Sequence, residues 1–98
     1  MPASVDYHPL LIEALKQPKE AEAYLTVALE QGDPKMFLVA LRNVAEARGG
    51  IGKVAAKSKL NRESLYRMLS KKGNPSLASL TALLKSLGFR LAIERDAA

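Results

Sequence analysis

From Pro9 to Leu87 the apolar positions recur every third or fourth residue, in stretches of eight to fifteen residues. That is the period of helices with one buried face. The first stretch, Pro9 to Lys16, carries Leu10, Leu11, Ala14 and Leu15. The second opens at Pro18, places Ala21, Tyr24, Leu25, Ala28 and Leu29 on a stripe, and stops at Gly32. In the third, Asp33 suits the N-cap and Pro34 the first turn. Phe37, Leu38, Leu41, Val44 and Ala45 line its face, and Gly49-Gly50 ends it. Two shorter helices are predicted at Gly52–Ser58 and Asn61–Ser70, separated by a tight turn. Asn61 caps the second, whose positive end Glu63 favours. The run Lys71-Lys72-Gly73-Asn74-Pro75 breaks the chain, with Asn74 placed to cap the next helix. Ser76 to Leu87 is then apolar at Leu77, Leu80, Leu83, Leu84 and Leu87, and closes at Gly88. Beyond it, Phe89-Arg90-Leu91-Ala92-Ile93 alternates, which predicts a half-buried strand with no partner in its own chain.

The pattern predicts an all-α fold of five to six helices with a short C-terminal β-strand. It divides the chain into an N-terminal helical region over 1–32, a core over 33–88 and a strand and tail over 89–98. The strand would expose its unpaired backbone groups and seek the same strand of a second copy, making a homodimer contact. With 98 residues and 48% apolar composition, a small core is expected, one that gains from pairing. Tyr24 and Phe37 are assigned to that core.

Absences narrow the chemistry. Without cysteine there is no disulfide frame or thiolate metal site, and His8, the one histidine, cannot build a multi-histidine site. It is read as a surface residue. No Ser/His/Asp grouping, paired acids or phosphate-binding glycine loop is present, so neither enzymatic activity nor a cofactor is expected. No apolar run approaches the ~20 residues of a membrane helix and no secretory leader is recognisable. The expectation is a soluble cytoplasmic protein with no membrane partner.

Charge changes the picture more than composition does. The net charge is +5, but residues 1–46 hold four Lys/Arg against seven Asp/Glu. Residues 48–72 hold eight Lys/Arg (Arg48, Lys53, Lys57, Lys59, Arg62, Arg67, Lys71, Lys72) against Glu63 alone. An acidic front and one basic block suggest a polyanion on one face and another partner elsewhere. The block coincides with the two short helices, which form a helix-turn-helix over roughly Gly52 to Ser70. Ala55 supplies the small residue where the helices cross, and Val54, Leu60, Leu65 and Leu69 face the core. Arg62, Glu63, Ser64, Tyr66 and Arg67 are left on the outside of the second helix, where base edges of duplex DNA would be read. Lys53, Lys57, Asn61, Lys71, Lys72 and Asn74 flank it and suit phosphates. For Tyr66 the alternative is packing against the neighbouring helix.

From Val54 to Leu87 the chain resembles the lambda-repressor/Cro-like helix-turn-helix proteins. Over nearly its whole length it resembles the addiction-module antidote proteins, the HigA-like antitoxins. The matching pieces are Ala23-Tyr24-Leu25, Ala28 to Pro34, Ala40-Leu41, Val44-Ala45, Ala47-Arg48-Gly49, Arg62 to Tyr66, Gly73-Asn74-Pro75 and Leu87-Gly88. Two positions depart from the broader pattern: Ile51 stands where a glutamine is usual, and Lys59 where the turn usually carries a small residue. A side chain in a left-handed turn costs about 1 kcal/mol. The resemblance implies a dimeric autorepressor that binds an inverted-repeat operator in double-stranded DNA and neutralises a small RelE-like ribonuclease toxin. The acidic N-terminal region, with Leu10, Leu11 and Leu15 as apolar anchors, is the expected toxin-docking surface, the competing reading being that it only completes the bundle around Phe37 and Leu41. Glu13, Glu20, Glu22 and Glu30 read either as an acidic docking face or as a solvated helix surface. Two alternatives stand beside this reading: a helix-turn-helix transcription regulator without a toxin partner, and a helical protein-interaction adaptor whose basic patch binds acidic protein.

Overall fold

The computed structural model describes residues 7–70 and 72–97, and every structural statement below concerns these. They form six helices: α1 (Tyr7–Leu15), α2 (Pro18–Glu30), α3 (Pro34–Ala47), α4 (Ile51–Ser58), α5 (Arg62–Met68) and α6 (Leu77–Ser86). Local chemistry sets most of the boundaries. Asp33 accepts a hydrogen bond from the Lys35 amide to start α3, with Pro34 in its first turn. Asn61 accepts from the Ser64 amide at 2.6 Å to start α5. At α6 the cap is Ser76, which accepts from the Ser79 amide at 3.1 Å; the capping role expected of Asn74 falls to Ser76 two residues on.

α3 is the hub, packing against α1, α2 and α4, while α4 also packs on α5 and α6. One continuous apolar core joins Leu15 of α1, Leu25 of α2, Leu41 and Val44 of α3, Val54 of α4, Leu65 of α5 and Leu83 of α6. Phe37 is buried; Tyr24 is half-buried against this core, its hydroxyl accepting from Asn43 Nδ2 at 2.9 Å. His8 is exposed, with Nε2 3.1 Å from both Glu46 carboxylate oxygens across α1 and α3.

The C-terminal strand expected at Phe89–Ile93 is not there: among the described residues the fold is helical, with no strand. Gly88, at φ 92°, turns the chain back, and the Phe89 amide donates to the Leu84 carbonyl at 2.8 Å. This closes the end of α6 and seats Phe89 against the core. Leu91 follows α2 and α3 at the surface, and Ile93 is fully exposed. Alternation specifies a strand only where a ladder partner lies alongside, and this chain offers none. The dimer contact assigned to that strand is withdrawn with it.

Candidate nucleic-acid interface

α4 and α5 are joined by three residues, Lys59 to Asn61. Ser58 closes α4, its hydroxyl donating to the Ala55 carbonyl at 3.2 Å and accepting from the Leu60 amide at 3.4 Å. Lys59 then takes the left-handed conformation, φ 61° and ψ 17°, the one positive φ outside glycine among the described residues. Ala55 is buried between the helices, with Val54, Leu65 and Leu69 buried and Leu60 half-buried against the same core.

At seven residues, α5 is too short to hold itself. Asn61 caps its start, and at its other end Arg42 of α3 donates from Nη2 to the Leu69 carbonyl, 27 residues away in sequence. Gly73 lets the chain pass close over that end, since a Cβ there would overlap the Met68 carbonyl oxygen. Neither Arg42 nor Gly73 stands out in the sequence as a functional residue. Gly73 sits in an obvious breaker, whereas nothing local to Arg42 signals a carbonyl so distant.

The outer face of α5 carries Arg62, Glu63, Tyr66 and Arg67, all exposed; Ser64 is half-buried with its amide in the Asn61 cap. Arg62 Cζ lies over the Tyr66 ring, 5.7 Å from its centroid. Lys53 and Lys57 of α4 are exposed, and Lys72 lies just past α5. Lys71 lies outside the described residues. No described carboxylate is within ion-pairing distance of Lys53, Lys57, Arg62, Arg67 or Lys72. A cleft of roughly 360 Å³ opens between α5 and the start of α6, lined by Ser64, Arg67, Lys72, Asn74, Ser76 and Ser79 among others. Chemically, this is a short, firmly held helix with unpaired cations and hydrogen-bond donors, bordered by a mixed groove that carries Arg67 and Lys72 beside apolar Leu60 and Met68.

The residues assigned to toxin docking separate. Leu10 is exposed and Leu11 half-buried on α1, but Leu15 is fully buried in the core. Glu13, Glu20, Glu22 and Glu30 are exposed. No helix among the described residues is long and apolar enough to cross a membrane.

Residues 10–95 match the family model of the probable addiction module antidote proteins. The chain belongs to this family. Over 84 residues, 86% of each chain, it is 30% identical to an uncharacterized protein of Haemophilus influenzae. No solved structure matches it significantly. Membership in an antidote family points to an antitoxin of a toxin–antitoxin module, with a toxin of some kind as counterpart. The match takes in all of α2 to α6 and most of α1, so it spans both the acidic front and the basic α4–α5 unit.

Proposed function

We propose that this antidote-family chain is a DNA-binding antitoxin: it represses its own operon through α4 and α5 and neutralises a RelE-like ribonuclease toxin. The observation that carries the DNA half is the external face of α5, where Arg62, Tyr66 and Arg67 stand exposed on a helix pinned at both ends. The unpaired lysines Lys53, Lys57 and Lys72 around it fit phosphate contacts, which set register, while the α5 arginines fit base edges. One seven-residue helix meets too few base pairs for a unique site. A dimer placing two α5 helices one DNA turn apart, roughly 34–36 Å, on an inverted repeat fits this protein. Toxin docking is proposed on the acidic N-terminal helices, with exposed Leu10 and half-buried Leu11 as apolar anchors; Leu15 belongs to the core.

Footprinting on DNA upstream of the protein's own gene tests the first half. Protection of an inverted repeat is expected, and Arg62→Ala and Arg67→Ala should each weaken binding to it by about 1–3 kcal/mol while leaving random duplex little changed. Equal losses on repeat and random DNA would remove the base-reading role. For the second half, co-purification with the product of the adjacent gene is expected, and relief of that product's toxicity on co-expression. A neighbour that neither binds nor is relieved would leave a plain regulator.

A further inference from the structure

The arginines of this protein are used in two ways. Arg42 donates to the Leu69 carbonyl and Arg48 to the Lys16 carbonyl at 3.3 Å, so both hold the fold together. Arg62 reaches no acceptor among the described residues. It is nevertheless placed. Its Cζ lies 5.7 Å from the centroid of the Tyr66 ring, one turn along α5. On α4, Gly52 lies alongside, where a Cβ would stand 3.8 Å from the Arg62 Cζ and Nε, an ordinary van der Waals contact. A guanidinium carried on an aromatic face keeps the N–H groups of its edge free for an acceptor.

We infer that Arg62, carried on Tyr66, is a guanine-reading side chain of this protein, and that Tyr66 is its positioning residue and not a base contact of its own. The inference rests on the DNA-binding reading above. Guanine is the match because, in the major groove, it presents two acceptors side by side, N7 and O6, to a fork of two donors. Adenine presents an acceptor beside a donor, cytosine a donor, and thymine an acceptor beside a methyl group. Holding the guanidinium before DNA arrives reduces the side-chain freedom lost on binding, which favours the base that fits the held geometry. Arg67 lies over no ring among the described residues and borders the cleft toward α6 instead.

Selection from a random duplex library by the full-length protein, followed by equilibrium titration of the selected site and its single-base variants, tests this. The wild-type protein should prefer guanine at one position of each half-site by roughly 5- to 150-fold. Arg62→Gln should transfer that preference to adenine, whose N6 and N7 suit a carboxamide. Tyr66→Leu should lower the guanine preference about 2- to 5-fold, whereas Tyr66→Phe, which keeps the ring, should leave it unchanged. A guanine preference that survives Arg62→Gln, or an equal loss on every sequence, would overturn the inference. Tyr66→Phe falling as far as Tyr66→Leu would overturn the positioning role. If the wild-type protein enriches no sequence at all, the DNA-binding reading itself fails, a result distinct from either.

Discussion

Two residues decide how firmly the proposed reading helix is held, and they act in opposite directions. Lys59 occupies a left-handed backbone conformation that only glycine adopts without steric cost. Lys59→Gly is therefore expected to raise unfolding free energy by about 1 kcal/mol, read from the urea midpoint at unchanged slope. Because it also removes a cation beside the proposed interface, DNA affinity should stay level or fall slightly, so the two readouts part company. Arg42 contributes the reverse. Its guanidinium satisfies the Leu69 carbonyl at the end of α5, and a hydrogen bond from a charged donor is worth about 1.5–3 kcal/mol. Arg42→Met keeps much of the aliphatic stem and should destabilise by an amount in that range. A loss below about 0.5 kcal/mol in thermal or urea unfolding, the low end for a hydrogen bond, would show that α5 does not depend on this link.

Among the elements, α5 and the C-terminal segment show how far a helix or an extended run depends on what surrounds it. α5 has a cap legible in Asn61 and an apolar pair in Leu65 and Leu69, yet seven residues do not make a stable helix alone. Burial of Leu65, Met68 and Leu69 against α4 and the core holds it. The C-terminal segment has alternation but no ladder, so its conformation is set by the Gly88 turn and the seating of Phe89. Phe89→Ala is accordingly expected to cost stability, but less than the about 3–5 kcal/mol of a fully buried phenylalanine, because the ring is only half-buried. Differential scanning calorimetry reads this directly. A melting temperature unchanged by Phe89→Ala would show that the segment does not pack.

At the scale of the whole molecule the distribution of charge matters more than the net +5. The acids concentrate on α1 to α3, and the unpaired cations on α4, α5 and just beyond, with α3 packed against α4. On the proposed reading, a polyanion and an acid-seeking partner would meet different helices. If the proposed DNA face binds as inferred, log affinity should fall linearly with log salt concentration. Lys53→Ala and Lys72→Ala should each lower the magnitude of that slope by about one unit and weaken operator and random DNA alike. Slopes unchanged in both variants would take these lysines out of the interface.

Much of this was legible in the chain because it depends on neighbours a few residues apart. Helical period, the caps at Asp33 and Asn61, the glycine stops at Gly32, Gly49 and Gly88, and the basic block all arise from local hydrogen bonding and composition. By itself the sequence thus determined the helical class, the place of the turn between α4 and α5, and the face of α5 left polar. Tertiary structure alone decided which leucines of α1 are core and which are surface: Leu15 is buried where Leu10 is exposed, though both lie on apolar positions of one short helix. It also decided that Arg42 would secure α5 from 27 residues away, and that the alternating tail would follow the Gly88 turn, with Phe89 against the core, instead of pairing. The physical reason is the same in each case. These features need a partner group brought near by folding, and the residues concerned carry no mark of that partner in their immediate sequence.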